Sequence, residues 1–162
     1  MKKQNCEKIK VVVEIVSDSD LKYEINKRGG IKMDRVVSHS LTYPFSYGFI
    51  PETLADDGDA LDVVIISQLE LKLKDVIGCR VVAVLEMRDE HGVDQKIIAV
   101  PIEEKSDYRK IKDLSDLNLP IREKIDLFFR QYKNSFSDRW SEIKGFADKR
   151  SAISIINKTK KC

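Results

Sequence analysis

VIGCRVVAVLEMRDEHGVDQKIIAVPI, residues 76–102, reads as two long strands and the loop that joins them. The runs 76–88 and 96–102 are dominated by Val, Ile, Leu and Ala. Between them, Asp89-Glu90-His91-Gly92 has the polar, glycine-ended make-up of a hairpin loop. Working back from this pair, 61–67 is a continuous β-branched run and 47–50 is a short strand after Pro44. Further back, 31–37 follows a Gly29-Gly30 turn, 22–25 is short and alternating, and 10–16 is rich in Val and Ile. Forward of the pair the period changes. From Pro120 the apolar residues fall at Ile121, Ile125, Phe128, Phe129 and Tyr132, one face of a helix with proline in its first turn. A weaker helix is predicted over 148–158, with Ala152, Ile155 and Ile156 inward. No repeat, low-complexity tract or linker interrupts the chain. The prediction is one α+β domain over 1–162, mainly β. Its five or six short strands, antiparallel by their tight connections, suit an OB-like barrel with helices flanking it near the C-terminus.

Composition narrows the function classes. At 162 residues, the chain can bury roughly two thirds of its unfolded surface as one domain. It is 42% hydrophobic and 35% charged, which is globular rather than disordered. A net charge of +2 offers no global field for a nucleic acid or a membrane, and neither is expected as a partner. The longest apolar stretches, such as 97–102, are too short to span a bilayer. Glu14 interrupts the apolar run 11–16 behind the basic Met1-Lys2-Lys3, so no signal peptide is expected. Cys6, Cys79 and Cys162 are odd in number, widely spaced and without a C-x-x-C pattern. They read as free thiols in a reducing compartment, and the expected address is the cytoplasm.

The strongest chemical signal is Asp57-Gly58-Asp59-Ala60-Leu61-Asp62. Three carboxylates within six residues, beside a glycine that permits a tight turn, can converge on one hard cation. A bare D-G-D triplet is as readily a solvated acidic turn. Asp62, however, lies inside the apolar run 61–66, where an ionised side chain is costly unless a cation or donor meets it. The loop lacks the spaced ligands and terminal glutamate of an EF-hand. Asp89 and Asp94 bracket the hairpin loop, with Lys96 close behind; alone this is ordinary hairpin chemistry. Glu14 and Glu24 lie in the first strands, and alternation puts Lys22 and Glu24 on one face. That is the pattern of a salt-bridged surface as much as of a site. Tyr43-Pro44-x-x-Tyr47-Gly48 offers hydroxyls to an oxyanion or two rings to a core. His39 and His91 have no partner at metal-ligand spacing and read as surface loops.

The order of these signals is more specific than any of them. Glu14, Lys22-Tyr23-Glu24, Asp34-Arg35, Tyr43-Pro44-x-x-Tyr47-Gly48, Asp57-x-Asp59-x-x-Asp62, Asp89, Asp94, Lys96 and Tyr132-Lys133 follow one another from about residue 11 to 140. The series closely resembles the soluble family I inorganic pyrophosphatases of compact prokaryotic type. That resemblance implies a five-stranded OB-like barrel and hydrolysis of inorganic pyrophosphate to two phosphates by direct attack of water. It also implies several Mg²⁺ ions per site and assembly as a homohexamer. Asp57, Asp62 and Asp94 would ligate a first metal, with Asp62 shared by a second. Asp89 and Asp94 would hold a third that arrives with substrate, and Glu24 a fourth. Glu14 would belong to the acidic network around them. Lys22, Arg35, Tyr47, Lys96, Tyr132 and Lys133 would face the phosphates, and Asp59 would orient or deprotonate the attacking water.

This chain departs from the family pattern in three places. Ala60 stands where proline is usual, and the connection between Glu14 and Lys22 is about one residue shorter than in close relatives. Leu127 and Gln131 occupy helix positions where hexameric relatives commonly carry histidines.

The residue types match the chemistry. Two unit charges about 4 Å apart interact by roughly 4 kcal/mol at an effective dielectric near 20, so clustered carboxylates and a polyanionic substrate both demand cations. Magnesium suits an all-oxygen, carboxylate-rich site that keeps several waters. Arginine and lysine stabilise the departing phosphate. An OB-like binding module would interleave basic and aromatic residues on its strands, whereas aspartate is concentrated here. A non-catalytic calcium-binding β domain would explain the acidic loops, but not Lys22, Arg35, Lys96 and Lys133.

Overall fold

A computed structural model describes residues 6–17, 21–25, 31–36, 43–54, 59–90, 92–131 and 141–159, with the side chains of 21–25, 31–36 and Ser141 left aside. The expected strands form in order: β1 (Lys8–Ile15), β2 (Leu21–Ile25), β3 (Ile31–Val36), β4 (Ser46–Phe49), β5 (Asp62–Ile65), β6 (Val76–Asp89) and β7 (Gly92–Pro101). Asp89 pairs with Gly92, so the hairpin loop is tighter than the sequence implies, and Asp94 lies within β7. Gly92 takes φ +111°, a conformation that favours glycine at such a turn.

Five strands close on themselves in the order β1-β4-β5-β7-β6, with β6 returning to pair with β1. Four of these pairings are antiparallel; β5 and β7 run parallel, because β6 intervenes between them in the chain. The ring is the expected OB-like barrel. β2 and β3 form a separate antiparallel ribbon in which Lys22 is the register partner of Arg35.

A strand that the sequence reading lacked, β8 (Ser141–Ala147), lengthens the sheet along β6. Its pattern is broken by Gly145, at φ +133°, beside a register shift opposite Glu86 and Met87. A bulge there breaks the period of two that marks strands in sequence. Short 3-10 turns at Asp107–Lys110 and Leu114–Asp116 were likewise not anticipated.

The helices are α1 (Leu119–Gln131) and α2 (Lys149–Thr159). Asn118 caps α1 by accepting the Ile121 amide at 3.0 Å, and Asp148 caps α2 by accepting that of Ser151 at 2.9 Å. These bonds with Ser151, backbone first, hold the Asp148 carboxyl below its ordinary pKa.

The two faces of the ring bury two cores. Val11, Val13, Val63, Ile65, Ile97 and Ala99 fill one cluster, closed by Ala152 and Ile156 of α2. Val64, Ile66, Leu85, Met87, Ile98 and Val100 point the other way, under Ile121, Ile125, Phe128 and Phe129 of α1. Each such apolar side chain contributes about 1.5–3 kcal/mol by burial, so α1 is held by its stripe rather than by intrinsic helicity.

The cysteines need a correction. Cys79 is a free, buried thiol, but Cys6 is disulfide-bonded. Spacing along the chain carries no sign of such a bond, which depends on the tertiary structure.

Candidate active site

The face of the sheet beneath α1 is apolar along β5 and β7 until it reaches the strands' starts. Val64 faces α1, and alternation puts Asp62 on the same face at the head of β5. On β7, Ile98 faces α1, and Lys96 and Asp94 continue its row toward the hairpin. Parallel pairing sets Asp62 beside Lys96. Lys96 Nζ lies 2.6 Å from Asp62 Oδ2 and 3.0 Å from Asp94 Oδ2. The Lys96 side chain is only 8% exposed and Asp94's 11%, so little water screens the group. The rings of Tyr47 and Phe129 stand 5.5 and 5.6 Å from the ammonium and supply its apolar wall.

These contacts set the charge states. Burial pushes the Lys96 ammonium pKa down, but the adjacent carboxylates of Asp62 and Asp94 outweigh it, and the net shift is well upward. Lys96 is therefore a permanent cation. Tyr47 is raised well above its ordinary 10.0, first by burial and then by the charge of Asp62 and Asp94. Its hydroxyl keeps its proton and can donate it to an anion.

Glu14 reaches this neighbourhood through a bulge. Val13 pairs with Gly48 and Ile15 with Tyr47, so the register shifts at Glu14. A bulge re-aims a side chain, and Glu14 is 7% exposed with its charge acting on Tyr47. Asp89, also 7% exposed, ends β6 two residues after Met87 on the α1 side of the sheet.

Asp59 is exposed in the loop that leads into β5. Both ends of that loop are fixed. Ile50 N–H donates to Leu61 O, while Thr53 Oγ1 donates to Ile50 O at 2.6 Å and accepts from Leu61 N at 2.9 Å. Thr53 was missed in the sequence, where a lone threonine carries no signal. Phe129 was read only as core. Tyr43 packs 4.4 Å from the ring of Phe128, in the core.

The structure thus brings together Asp62, Asp94, Lys96 and Tyr47, with Glu14 close to Tyr47. Lys22, Glu24 and Arg35 are placed only by strand position, on β2 and β3. Asp57, Tyr132 and Lys133 lie outside the described residues, as do His39 and His91. Among the described residues no three His, Cys, Asp or Glu side chains are placed to hold a metal. The donors present nevertheless fit a hard cation in kind, since Asp62 and Asp94 converge on one positive charge through carboxylate oxygens.

Comparison with known proteins places the chain in a family. The family model for inorganic pyrophosphatase matches residues 11–162. The chain is 41% identical over 150 residues to the inorganic pyrophosphatase of Helicobacter pylori, covering 91% of this chain and 87% of that one. It is 45% identical over 155 residues to that of Aquifex pyrophilus, covering 94% and 87%. Among solved structures, the inorganic pyrophosphatase from Helicobacter pylori matches with a TM-score of 0.89 at 37% identity, covering 98% of this chain and 96% of that chain. The enzyme from Thermus thermophilus matches at 0.88 and 34%, covering 97% and 92%.

Proposed function

The chain belongs to the inorganic pyrophosphatase family and hydrolyses pyrophosphate to two phosphates; from that premise we propose that hydrolysis runs around Asp62, Asp94 and Lys96, with 1–162 acting as one domain. The observation that carries this reading is the convergence of two carboxylates and one buried, permanently charged ammonium at the end of an apolar face. Such a group recognises a substrate made of phosphates and cations.

The family's members are metalloenzymes, and the metal proposed here is Mg²⁺, several ions per site. Asp57, Asp62 and Asp94 would hold the first ion, Asp62 sharing a second, Asp89 and Asp94 a third, and Glu24 a fourth, with Glu14 in the surrounding acidic network. When bound, the ions would neutralise these carboxylates and lower the pKa of water at the site.

The chain's own side chains then divide the work. Asp59, exposed at the mouth of its clamped loop, would accept a proton from the attacking water. Lys96 stays charged and donates to a phosphate oxygen, and Tyr47 stays protonated and does the same. Lys22 and Arg35, register partners on the ribbon, would take the opposite phosphate, together with Tyr132 and Lys133. Water attacks phosphorus directly, so no covalent intermediate is required.

The proposed assembly is a homohexamer. Support comes from α1, where Leu127 is 56% exposed and Gln131 is exposed beside it. No described helix is long and apolar enough to cross a membrane. The proposed compartment is the cytoplasm. The binding-module and calcium-domain readings are not favoured, because relatives matched over nine tenths of the chain are pyrophosphatases by name.

Phosphate release from pyrophosphate tests the reading. Turnover should appear with Mg²⁺, fall to background in excess EDTA and remain slight with Ca²⁺, which fills oxygen sites but acidifies water less. Robust hydrolysis in EDTA, or in Ca²⁺ alone, would overturn the metal assignment.

A further inference from the structure

Thr53 is a buried polar side chain, 8% exposed, at the base of the loop that leads into β5. β4 and β5 pair at Phe49 and Asp62, and their ladder runs one step further. Ile50 N–H donates to Leu61 O at 2.9 Å. An antiparallel pair bonded in this way ordinarily returns the bond, with Leu61 N–H on Ile50 O. Here the return passes through a side chain. Leu61 N–H donates to Thr53 Oγ1 at 2.9 Å, and that hydroxyl donates to Ile50 O at 2.6 Å. A hydroxyl can stand in the ladder because it accepts and donates at once. Pro51 and Glu52 bring it back to Ile50, with Glu52 at φ +64°, the left-handed position of a tight turn.

Leu61 is thereby fixed on three counts, since its side chain is 1% exposed and both of its backbone polar groups are bonded. Asp59 stands two residues before it, at most about 7 Å of chain away, and is exposed outside any strand. Asp62, on the other side of Leu61, has anchors of its own. It pairs with Phe49 and Lys96 in the sheet and bonds the Lys96 ammonium. Loss of the hydroxyl relay therefore displaces Asp59 more than Asp62.

We propose that Thr53 is a positioning residue for Asp59: its hydroxyl, inserted between Ile50 and Leu61, sets the place from which the Asp59 carboxylate reaches the attacking water. Thr53 has this role only if Asp59 handles that water, as proposed above. A misplacement of about 1 Å in a group that meets the reactants costs on the order of 10²-fold in rate. Valine has the shape of threonine but supplies neither bond, so Thr53→Val leaves the buried Leu61 N–H without its acceptor.

The test is a double-mutant cycle of Thr53→Val with Asp59→Asn in the full chain. Turnover of magnesium pyrophosphate is measured at a temperature where circular dichroism shows every variant folded. Thr53→Val should lower kcat by about 10–100-fold with KM nearly unchanged. In the Asp59→Asn background the same substitution should change kcat by less than about threefold, because the group it displaces is already disabled. Thr53→Ser keeps the hydroxyl and should hold kcat within about threefold of the unsubstituted chain. A readout independent of turnover is amide hydrogen exchange. In Thr53→Val the Leu61 amide should quicken at least about tenfold more than that of Ile66, which bonds Ala99 O. Should Thr53→Val fail to fold, Thr53→Cys, whose thiol is a weak donor and acceptor, takes its place with the same non-additivity expected. Losses that multiply in the double variant would overturn the proposal. So would an unchanged kcat in Thr53→Val, or a Thr53→Ser chain as slow as Thr53→Val. Full activity in Asp59→Asn alone is a different failure, since it would remove the role of Asp59 and this proposal with it.

Discussion

Lys96 shows how one residue can be buried, charged and still stable. Its ammonium loses water on entering the sheet, and Asp62 and Asp94 replace that hydration with two ionic contacts. Burial first, and then the same carboxylates, keep Tyr47 protonated, and this has a measurable consequence. Above pH 10 an unfolded tyrosine releases its proton while Tyr47 in the fold retains it. Stability therefore falls with rising pH, by about 1.4 kcal/mol per pH unit for this group. Below pH 10 both states hold the proton and the contribution is complete. Cys79 acts in the same direction from its ordinary 9.0 up to about 12. In urea titrations between pH 9 and 11, Tyr47→Phe should lose stability more gently than the unsubstituted chain, by about 1 kcal/mol at pH 11. Parallel pH curves would show that Tyr47 titrates normally. Asp59 and Asp62 are alike in sequence, but their surroundings differ: Asp62 bonds Lys96 beneath α1, and Asp59 is exposed in the loop. Asp62→Asn should weaken Mg²⁺ binding and slow turnover together. Asp59→Asn should lower kcat by about 10²–10⁴-fold, the worth of a positioned base, with the Mg²⁺ requirement little changed and the pH optimum shifted upward. Equal losses of Mg²⁺ affinity with unchanged pH profiles would reduce Asp59 to another ligand.

At the scale of elements, the site depends on how closely β1 and β4 approach. Gly48 stands in the run Tyr43-Pro44-x-x-Tyr47-Gly48, whose tyrosines drew attention in the sequence. The reason for the glycine is visible only in the sheet. A Cβ at position 48 would fall 2.2 Å from Val12 O and 2.9 Å from Val11 Cγ1. Backbone cannot give way cheaply there, because Val13, the next residue, pairs with Gly48 itself. Gly48→Ala should cost about 3 kcal/mol or more and lower the melting temperature by roughly 6–12 °C. Activity should fall with it, since the strands that carry Glu14 and Tyr47 must separate. A melting temperature within about 2 °C of the unsubstituted chain would mean that this contact is loose. α1 was legible from its stripe, because Ile121, Ile125, Phe128 and Phe129 repeat at helical spacing and all four are buried. β8 was not legible, because Gly145 and its bulge break the alternation that a strand otherwise displays.

For the whole molecule, the unpartnered side of α1 is where assembly can be tested. Leu127 is 56% exposed on the helix whose other face covers the core. Sedimentation should give a particle six times the 18.6 kDa chain. Leu127→Arg should dissociate it toward smaller species without unfolding the barrel, because the side chain contributes nothing to the core. A monomer for the unsubstituted protein, or an intact hexamer for Leu127→Arg, would show that α1 does not carry the contact. The order and type of most elements were determined by the sequence itself. The periods of 2 and 3.6 are local consequences of backbone geometry and survive in any short window. The ordered series from Glu14 to Lys133 was equally legible, and with it the family. The tertiary structure alone decided which charges meet. Asp62 and Lys96 are 34 positions apart and touch only because β5 and β7 pair in parallel. Glu14 is re-aimed by a bulge, and Cys6 lies beside Asn157 across almost the entire chain. Register, bulges and ring closure arise from pairings between distant segments, and no local window of sequence carries them.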